Sequence, residues 1–240
     1  MSTIVLIGGY RQNGKDLCAN YLVEHYDAER LAFADILKDE VALLTHVERK
    51  SFDIHKEQPL FTHPFVLKGK WSFHMIPMLI TEMANKNGIK PQSNDKWNVS
   101  ESDSVLLNEQ GEQLYWTPRA LCIFYGSTMR IINPNYWAEK LLPHINNAFA
   151  HGKKTIAISD FRYHSEVECL KQKLSCDIFT LRMNRTGPPS TDPSERDLDN
   201  FAFDYVIDNT DSTPSRAYKQ IDCELGPIIS TCVKKLKNSS

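Results

Sequence analysis

The sequence predicts an α/β fold in which helices flank a parallel sheet, and its first 45 residues carry most of that prediction. Residues 2–7 form a short β-branched apolar run that stops at Gly8-Gly9, as a buried parallel strand does. Apolar residues then recur at helical spacing over residues 14–26. A second short strand at 30–33 and a helix with Ile36 and Val41 on its apolar face repeat this order. Alternating strands and helices are typical of a parallel sheet.

The middle of the sequence follows this order less closely. Four prolines interrupt the pattern between residues 46 and 116, which predicts an insertion over one end of the sheet. Within it we expect a helix at about 78–86 and a hairpin formed by residues 105–107 and 113–116.

The alternation resumes after the insertion. Thr117 followed by Pro118 is a typical helix start, and this helix should reach about residue 130. The later predicted elements are helices at about 135–149 and 163–174, strands at 155–159, 177–182 and 205–207, a Pro/Gly/Ser-rich loop up to residue 199, and a C-terminal helix. No repeat or linker divides the chain, so we expect one domain over residues 1–240.

Composition excludes several classes of protein. The chain has 240 residues with a net charge of −2, so we expect no nucleic-acid polymer and no membrane surface as a partner. No apolar run approaches the roughly 20 residues of a membrane-spanning helix, and no secretory signal pattern is found at the N-terminus. We expect a cytoplasmic protein, in the host cytoplasm if the protein is viral. Six cysteines without a C-x-x-C pair indicate reduced thiols rather than disulfides or a zinc site.

The most specific motif lies between the first strand and the first helix. Gly9-Tyr10-Arg11-Gln12-Asn13-Gly14-Lys15-Asp16 matches the phosphate-binding pattern G-x-x-x-x-G-K, and we call residues 9–16 the phosphate loop. Glycines let consecutive backbone N–H groups face a polyphosphate, and the helix N-terminus adds positive charge. We therefore expect this loop to bind ATP through Gly9, Arg11, Gln12, Asn13, Gly14 and Lys15, with Lys15 bridging the β- and γ-phosphates.

Asp16 stands where the pattern usually has Ser or Thr. A carboxylate repels a neighbouring polyphosphate unless a cation lies between them. We therefore expect Asp16 to bind Mg²⁺, directly or through a water. The alternative is an acidic residue that only stabilises the helix dipole.

The arginines point to phosphoryl transfer rather than to a switch protein. Six of the ten lie between residues 119 and 196: Arg119, Arg130, Arg162, Arg182, Arg185 and Arg196. Guanidinium groups can hold an acceptor phosphate and neutralise charge in the transition state. The D-x-x-G and N-K-x-D motifs of Ras-like GTPases are absent from the sequence.

Taken together, these motifs resemble the phage-type deoxynucleoside monophosphate kinases, a branch of the P-loop kinases. Besides the phosphate loop, the resemblance rests on Phe33-Ala34-Asp35-Ile36-Leu37-Lys38, Thr117-Pro118-Arg119, Gly126-Ser127-Thr128-Met129-Arg130, Asn133-Pro134-Asn135-Tyr136-Trp137, Ser159-Asp160-Phe161-Arg162 and Asn184-Arg185-Thr186-Gly187. These blocks lie in family order, whereas residues 46–116 match poorly.

The resemblance implies a three-layer P-loop kinase fold with an inserted acceptor-binding region and a lid at about 183–199. It also implies Mg²⁺-dependent transfer of phosphate from ATP to a deoxynucleoside monophosphate, and a homodimer. The implied roles are acceptor-phosphate binding for Arg119, Arg130 and Arg162, with Asp35 and Lys38 nearby and Trp137 lining the acceptor pocket, and a lid position over ATP for Arg185 with Arg182. Asp160 would orient either a magnesium-bound water or Arg162. Trp137 is equally compatible with a place in the core.

Two other functions are compatible with part of the pattern. An animal-type phosphomevalonate kinase shares the Gly-Lys-Asp loop, the Ser-Asp-x-Arg block and a segment like Leu198-Asp199-Asn200-Phe201. The blocks at 117–119 and 133–137 favour the nucleotide branch. A nucleotide-binding regulatory protein without turnover would have less need of the arginines.

Overall fold

The computed structural model describes residues 2–45, 48–54, 56, 98–99, 105–107, 113–115, 118–187, 193–210 and 214–229. The chain divides into two compact units, residues 1–34 with 137–240 and residues 35–136. Each unit has its own sheet.

The predicted elements that fall on described residues are found in the predicted order. In chain order the strands are β1 (Thr3–Gly8), β2 (Glu29–Leu31), β3 (Asn98–Val99), β4 (Val105–Leu107), β5 (Gln113–Tyr115), β6 (Thr155–Ile158), β7 (Asp177–Asn184) and β8 (Tyr205–Asp208). The helices are α1 (Lys15–Tyr26), α2 (Phe33–Thr45), α3 (Ser51–Ile54), α4 (Pro118–Ile132), α5 (Tyr136–Ala150), α6 (His164–Lys173), α7 (Pro193–Arg196) and α8 (Pro214–Glu224).

A five-stranded parallel sheet with the order β2-β6-β1-β7-β8 forms the centre of the first unit. Strand β1 is the middle strand, and all six of its residues are buried. The strands that follow it in the chain lie on both sides of it, so its carboxyl end is a point where the strand order reverses. Open parallel sheets bind ligands at such points. The phosphate loop starts there.

Helices cover the sheet on both faces. Val5 and Ile7 belong to a buried cluster that includes residues of α1 and α8. Ile4 and Leu6 point to the opposite face because side chains alternate along a strand, and they are also fully buried. The predicted α/β fold, a parallel sheet flanked by helices, is confirmed.

The second unit contains α3, α4, most of α2 and a small antiparallel sheet in the order β3-β4-β5. Strands β4 and β5 form the predicted hairpin pair, with Leu106 opposite Leu114. Helix α3 and strand β3 are additions to the predicted elements. The predicted helix at 78–86, most of the predicted insertion and Thr117 lie outside the described residues.

Many predicted boundaries differ from the structure by one or two residues, and two differences change the type of an element. Phe33 was expected to end a strand, but it begins α2 because the Asp160 carboxylate accepts hydrogen bonds from the backbone N–H groups of Phe33 and Ala34, at 2.9 and 2.7 Å. The expected loop up to residue 199 contains the short helix α7. Across the described part of the chain, none of the helices combines the length and the apolar character needed to span a membrane. The single domain, the insertion and the lid stay predictions.

Candidate functional site

At two positions the phosphate loop has a backbone conformation that residues with a Cβ rarely adopt. Gly9 has φ = 132° and Gly14 has φ = 96°. A Cβ on Gly9 would lie 2.4 Å from the carbonyl oxygen of Met183, and one on Gly14 would lie 2.5 Å from Nδ2 of Asn209. Conformation favours glycine at both positions, and at Gly9 the backbone of Met183 also leaves no space for a Cβ.

Two asparagine side chains hold the loop in this shape. Asn13 is buried, and its Nδ2 donates to the carbonyl of Met183 in β7 at 3.0 Å. Asn209, just after β8, donates from Nδ2 to the carbonyl of Asn13 at 2.9 Å. The sequence indicates Asn13 through the motif, but no local pattern singles out Asn209.

The side chain of Lys15 folds back over the start of the phosphate loop. Its Nζ donates to the carbonyls of Gly9 and Tyr10, at 2.7 and 2.8 Å. Burial lowers the pKa of Lys15, and the positive charge of Arg162 lowers it further, while Glu195 is the largest of the opposing negative charges. A phosphate oxygen is a stronger acceptor for an ammonium group than a neutral carbonyl. Lys15 can therefore exchange these carbonyls for phosphate oxygens.

Arg162 follows β6 and is positioned through its backbone. The buried carboxylate of Glu166, at the start of α6, accepts the N–H of Arg162 at 2.9 Å and that of Tyr163 at 3.1 Å. The neighbouring Asp160 binds the first turn of α2, as described above. Its proposed part in orienting a magnesium-bound water or Arg162 stays a prediction.

Glu195 brings a negative charge into the same site. Its side chain is 4% exposed, its Oε1 lies 3.5 Å from Nη2 of Arg162, and its Oε2 accepts the backbone N–H of Arg11 at 3.1 Å. Together with the loop it borders a small cleft lined by Gly9, Tyr10, Phe161, Arg162, Arg182, Glu195, Leu198 and Phe203. The sequence places Glu195 within the predicted lid at about 183–199, but it does not indicate this contact with the loop, which joins residues 184 positions apart.

The two arginines expected near ATP, Arg182 and Arg185, each contact a residue of the phosphate loop. Arg182 lies over the ring of Tyr10, 5.4 Å from the ring centre, and its Nη2 is 3.8 Å from Oδ1 of Asp199. The Tyr10 hydroxyl donates to the same carboxylate, and this hydrogen bond raises the pKa of Tyr10. Arg185 is exposed and donates from Nη1 to the carbonyl of Gln12 at 3.3 Å.

Asp16 is the residue expected to hold Mg²⁺. Its side chain is 77% exposed, and its Oδ1 lies 3.3 Å from Nη2 of Arg30. Mg²⁺ in nucleotide sites typically binds one or two carboxylates, phosphate oxygens and several waters. An exposed carboxylate directly after Lys15 fits that set of ligands.

The second unit places the predicted Asp35 and Lys38 in a network of charged side chains. Arg49 binds three carboxylates, with Nε 2.5 Å from Asp39, Nη1 2.6 Å from Asp53 and Nη2 3.1 Å from Asp35. Lys38 lies 2.6 Å from Asp53. Burial alone would raise the pKa of Asp53, but the hydrogen bonds from Lys38 and Arg49 lower it. Arg49, which the sequence does not indicate, thus orients Asp35.

In the same unit, two residues that are expected to lie at the acceptor, Lys38 and Arg119, lie near the thiol of Cys122. Burial raises the pKa of Cys122 to about 11, and the positive charges of Lys38 and Arg119 oppose this effect. Arg130 is on the same helix as Arg119, and its Nη1 lies 3.4 Å from the carbonyl of Gly126.

Trp137 has a different environment. It lies in α5, in the first unit, and its side chain is 1% exposed. It is therefore a core residue of that unit, and contact with an acceptor stays a prediction.

No protein-family model matches this chain, and no curated protein is similar to it in sequence. Among solved structures, an unliganded sugar kinase from Janibacter sp. HTCC2649 is 12% identical with a TM-score of 0.40, covering 95% of this chain and 98% of that chain. TT1252 from Thermus thermophilus is 11% identical with a TM-score of 0.43, covering 96% and 97%. Similarities this low say nothing about the substrate or the reaction of this chain.

Proposed function

We propose that this chain is an ATP-dependent kinase that transfers the γ-phosphate to a deoxynucleoside monophosphate and produces the diphosphate. One observation carries the proposal. The phosphate loop, with Lys15 across it, and the guanidinium of Arg162 meet at a cleft at the carboxyl end of the central strand. Backbone N–H groups, an ammonium and a guanidinium are the donors that a transferring phosphoryl group requires.

The donor side of the reaction follows from the loop. Lys15 would leave the carbonyls of Gly9 and Tyr10 and bind the β- and γ-phosphate oxygens, while the loop amides surround the phosphates. Asp16 would hold Mg²⁺, which supplies charge neutralisation at the phosphates. Arg185, which already contacts the loop, would add positive charge.

The acceptor side rests on the resemblance and on the charges of the second unit. The resemblance implies that Arg119, Arg130 and Arg162 bind the acceptor phosphate. Within the second unit, Lys38 and Arg119 both lie close enough to Cys122 to oppose the rise in its pKa. An oxygen of the acceptor phosphate attacks the γ-phosphorus, the bond from that phosphorus to the β–γ bridging oxygen breaks, and ADP leaves. The attacking oxygen is already ionised at neutral pH, so positioning and charge stabilisation suffice without a side-chain base.

A coupled assay of ADP release tests the proposal. The full chain would be supplied with ATP and Mg²⁺, and with single deoxy- or ribonucleoside monophosphates, phosphomevalonate, or no acceptor. We expect ADP release that depends on a deoxynucleoside monophosphate. Turnover with phosphomevalonate alone would replace the proposal by the phosphomevalonate kinase alternative. Binding of ATP without turnover of any acceptor would favour a nucleotide-binding regulatory protein.

Two variants connect the activity to named residues. Lys15→Ala should lower kcat by about 100-fold or more while the protein stays folded, because a charge-stabilising donor is lost. Lys171→Ala, which removes an exposed lysine of α6, is the matched control and should leave turnover unchanged. Arg130→Ala should chiefly raise the KM for the acceptor. A Lys15 variant with normal turnover would rule out the mechanism.

A further inference from the structure

The carboxylate of Glu195 is bound by groups that are expected to bind phosphate. Its two oxygens contact the backbone N–H of Arg11 and the guanidinium of Arg162, at 3.1 and 3.5 Å. It also interacts electrostatically with Lys15 strongly enough to oppose the lowering of that residue's pKa. An internal anion thus lies among the donors of the phosphate loop.

A buried carboxylate needs such partners, and a phosphate needs the same ones. Burying a charge is costly unless it is paired and hydrogen-bonded, and Glu195 is almost fully buried. Two anions cannot share one set of donors at short range without strong repulsion. A phosphate group that binds the Arg11 N–H and Arg162 must therefore displace the carboxylate of Glu195.

We propose that Glu195 marks a phosphate subsite, formed by the backbone N–H of Arg11 and the guanidinium of Arg162, and that it competes for this subsite with the ligand. The proposal rests on the proposed function, because it requires that the loop binds a polyphosphate. Glu195 then sets the affinity of the loop, since each binding event must break its two contacts.

The chain offers a matched control in the same segment. Asp197 is two residues further on, and its Oδ2 lies 3.0 Å from Nδ1 of His164 and accepts the N–H of His164 at 2.9 Å. Replacing Asp197 also removes a carboxylate that holds this segment, but its contacts are with α6 and not with the loop. Any general loosening of residues 195–199 should therefore appear in both variants.

The test measures binding of inorganic pyrophosphate and of ADP, each with Mg²⁺, by calorimetry on the full chain. We expect Glu195→Gln to bind pyrophosphate at least tenfold more tightly than the parent protein, because the variant keeps the size of the side chain and loses its charge. Asp197→Asn should differ from the parent by no more than twofold. Unchanged or weaker binding by Glu195→Gln, or an equal gain in both variants, would overturn the competition.

A second measurement on the parent protein covers the case in which Glu195→Gln does not fold. Hydrogen exchange of peptides covering residues 195–199 should become faster when pyrophosphate binds, and exchange in the phosphate loop slower. Slower exchange in both segments would show that residues 195–199 close over the ligand, and would overturn the proposal. If the parent protein binds neither pyrophosphate nor ADP, the proposed function itself fails. If it binds them and Glu195→Gln is unchanged, only the competition fails.

Discussion

Replacing Gly9 by alanine should lower the free energy of unfolding, and the structure shows two separate causes. The first is backbone strain, because φ = 132° is unfavourable for any residue with a Cβ, at a cost of about 1–3 kcal/mol. The second is steric, because the added Cβ would lie 2.4 Å from the carbonyl oxygen of Met183, about 1 Å inside an ordinary contact. Relieving such overlap in a packed site costs a further amount of about 1–3 kcal/mol.

Gly152→Ala is a control in which a positive-φ backbone is strained without any steric overlap. Gly152 has φ = 91°, and a Cβ placed there would meet no atom within 4 Å, so only backbone strain applies. Urea denaturation of both variants should give a free energy of unfolding that is about 1–3 kcal/mol lower for Gly9→Ala than for Gly152→Ala. Thermal midpoints should differ by roughly 2–12 °C for a chain of this length. If Gly9→Ala is no less stable than Gly152→Ala, the close approach of β7 to the loop is refuted.

Three further predictions concern other parts of the chain. Asp160→Ala should lower the free energy of unfolding by about 1–2 kcal/mol in urea denaturation, because two N–H groups at the start of α2 lose their acceptor. Burial raises the pKa of Cys18 from 9.0 to about 12, so the stability from keeping this thiol neutral is lost as the pH rises from about 9 to 12. At pH 8, mass spectrometry should therefore show alkylation of the exposed Cys223 long before Cys18. Tyr125→Phe should cost about 1–2 kcal/mol in thermal denaturation, because its hydroxyl donates to Glu40 at 3.0 Å.

Each of these predictions has a contrary result. An Asp160 variant as stable as the parent would show that the start of α2 does not depend on this carboxylate. Equal alkylation rates for Cys18 and Cys223 would show that α1 does not bury its thiol. An unchanged thermal midpoint for Tyr125→Phe would show that its hydrogen bond adds no net stability.

The elements of the sheet were predictable because their signals are local. The buried run before Gly8, the helical spacing after Gly14 and the alternation of later segments are all read within about 15 residues. The pairing of β4 with β5 could be predicted for the same reason, since the two strands are close in sequence.

Contacts between distant residues were not predictable in the same way. The start of α2 at Phe33 depends on Asp160, 127 residues later. Glu195 and Asn209 contact the phosphate loop from 184 and 196 residues away. The predicted lid includes Glu195 but does not specify its contact with the loop, and no local pattern indicates Asn209. Arg49 can bind its three carboxylates only once α2 and α3 have folded, because the carboxylates are divided between these two helices. The motif indicates where the candidate site lies, whereas the residues that support the loop are known only from the fold.

The bracing of the phosphate loop has a consequence for how the protein is made. The loop is synthesised well before its partners, because Asn13 bonds to a residue 170 positions later and Asn209 reaches back across 196 residues. At a synthesis rate of about 5–20 residues per second, roughly ten seconds or more pass between synthesis of the loop and synthesis of those partners. Ribosome-bound chains that end before β7 should thus lack both contacts, and the loop reaches its final shape only after residue 209 has been added.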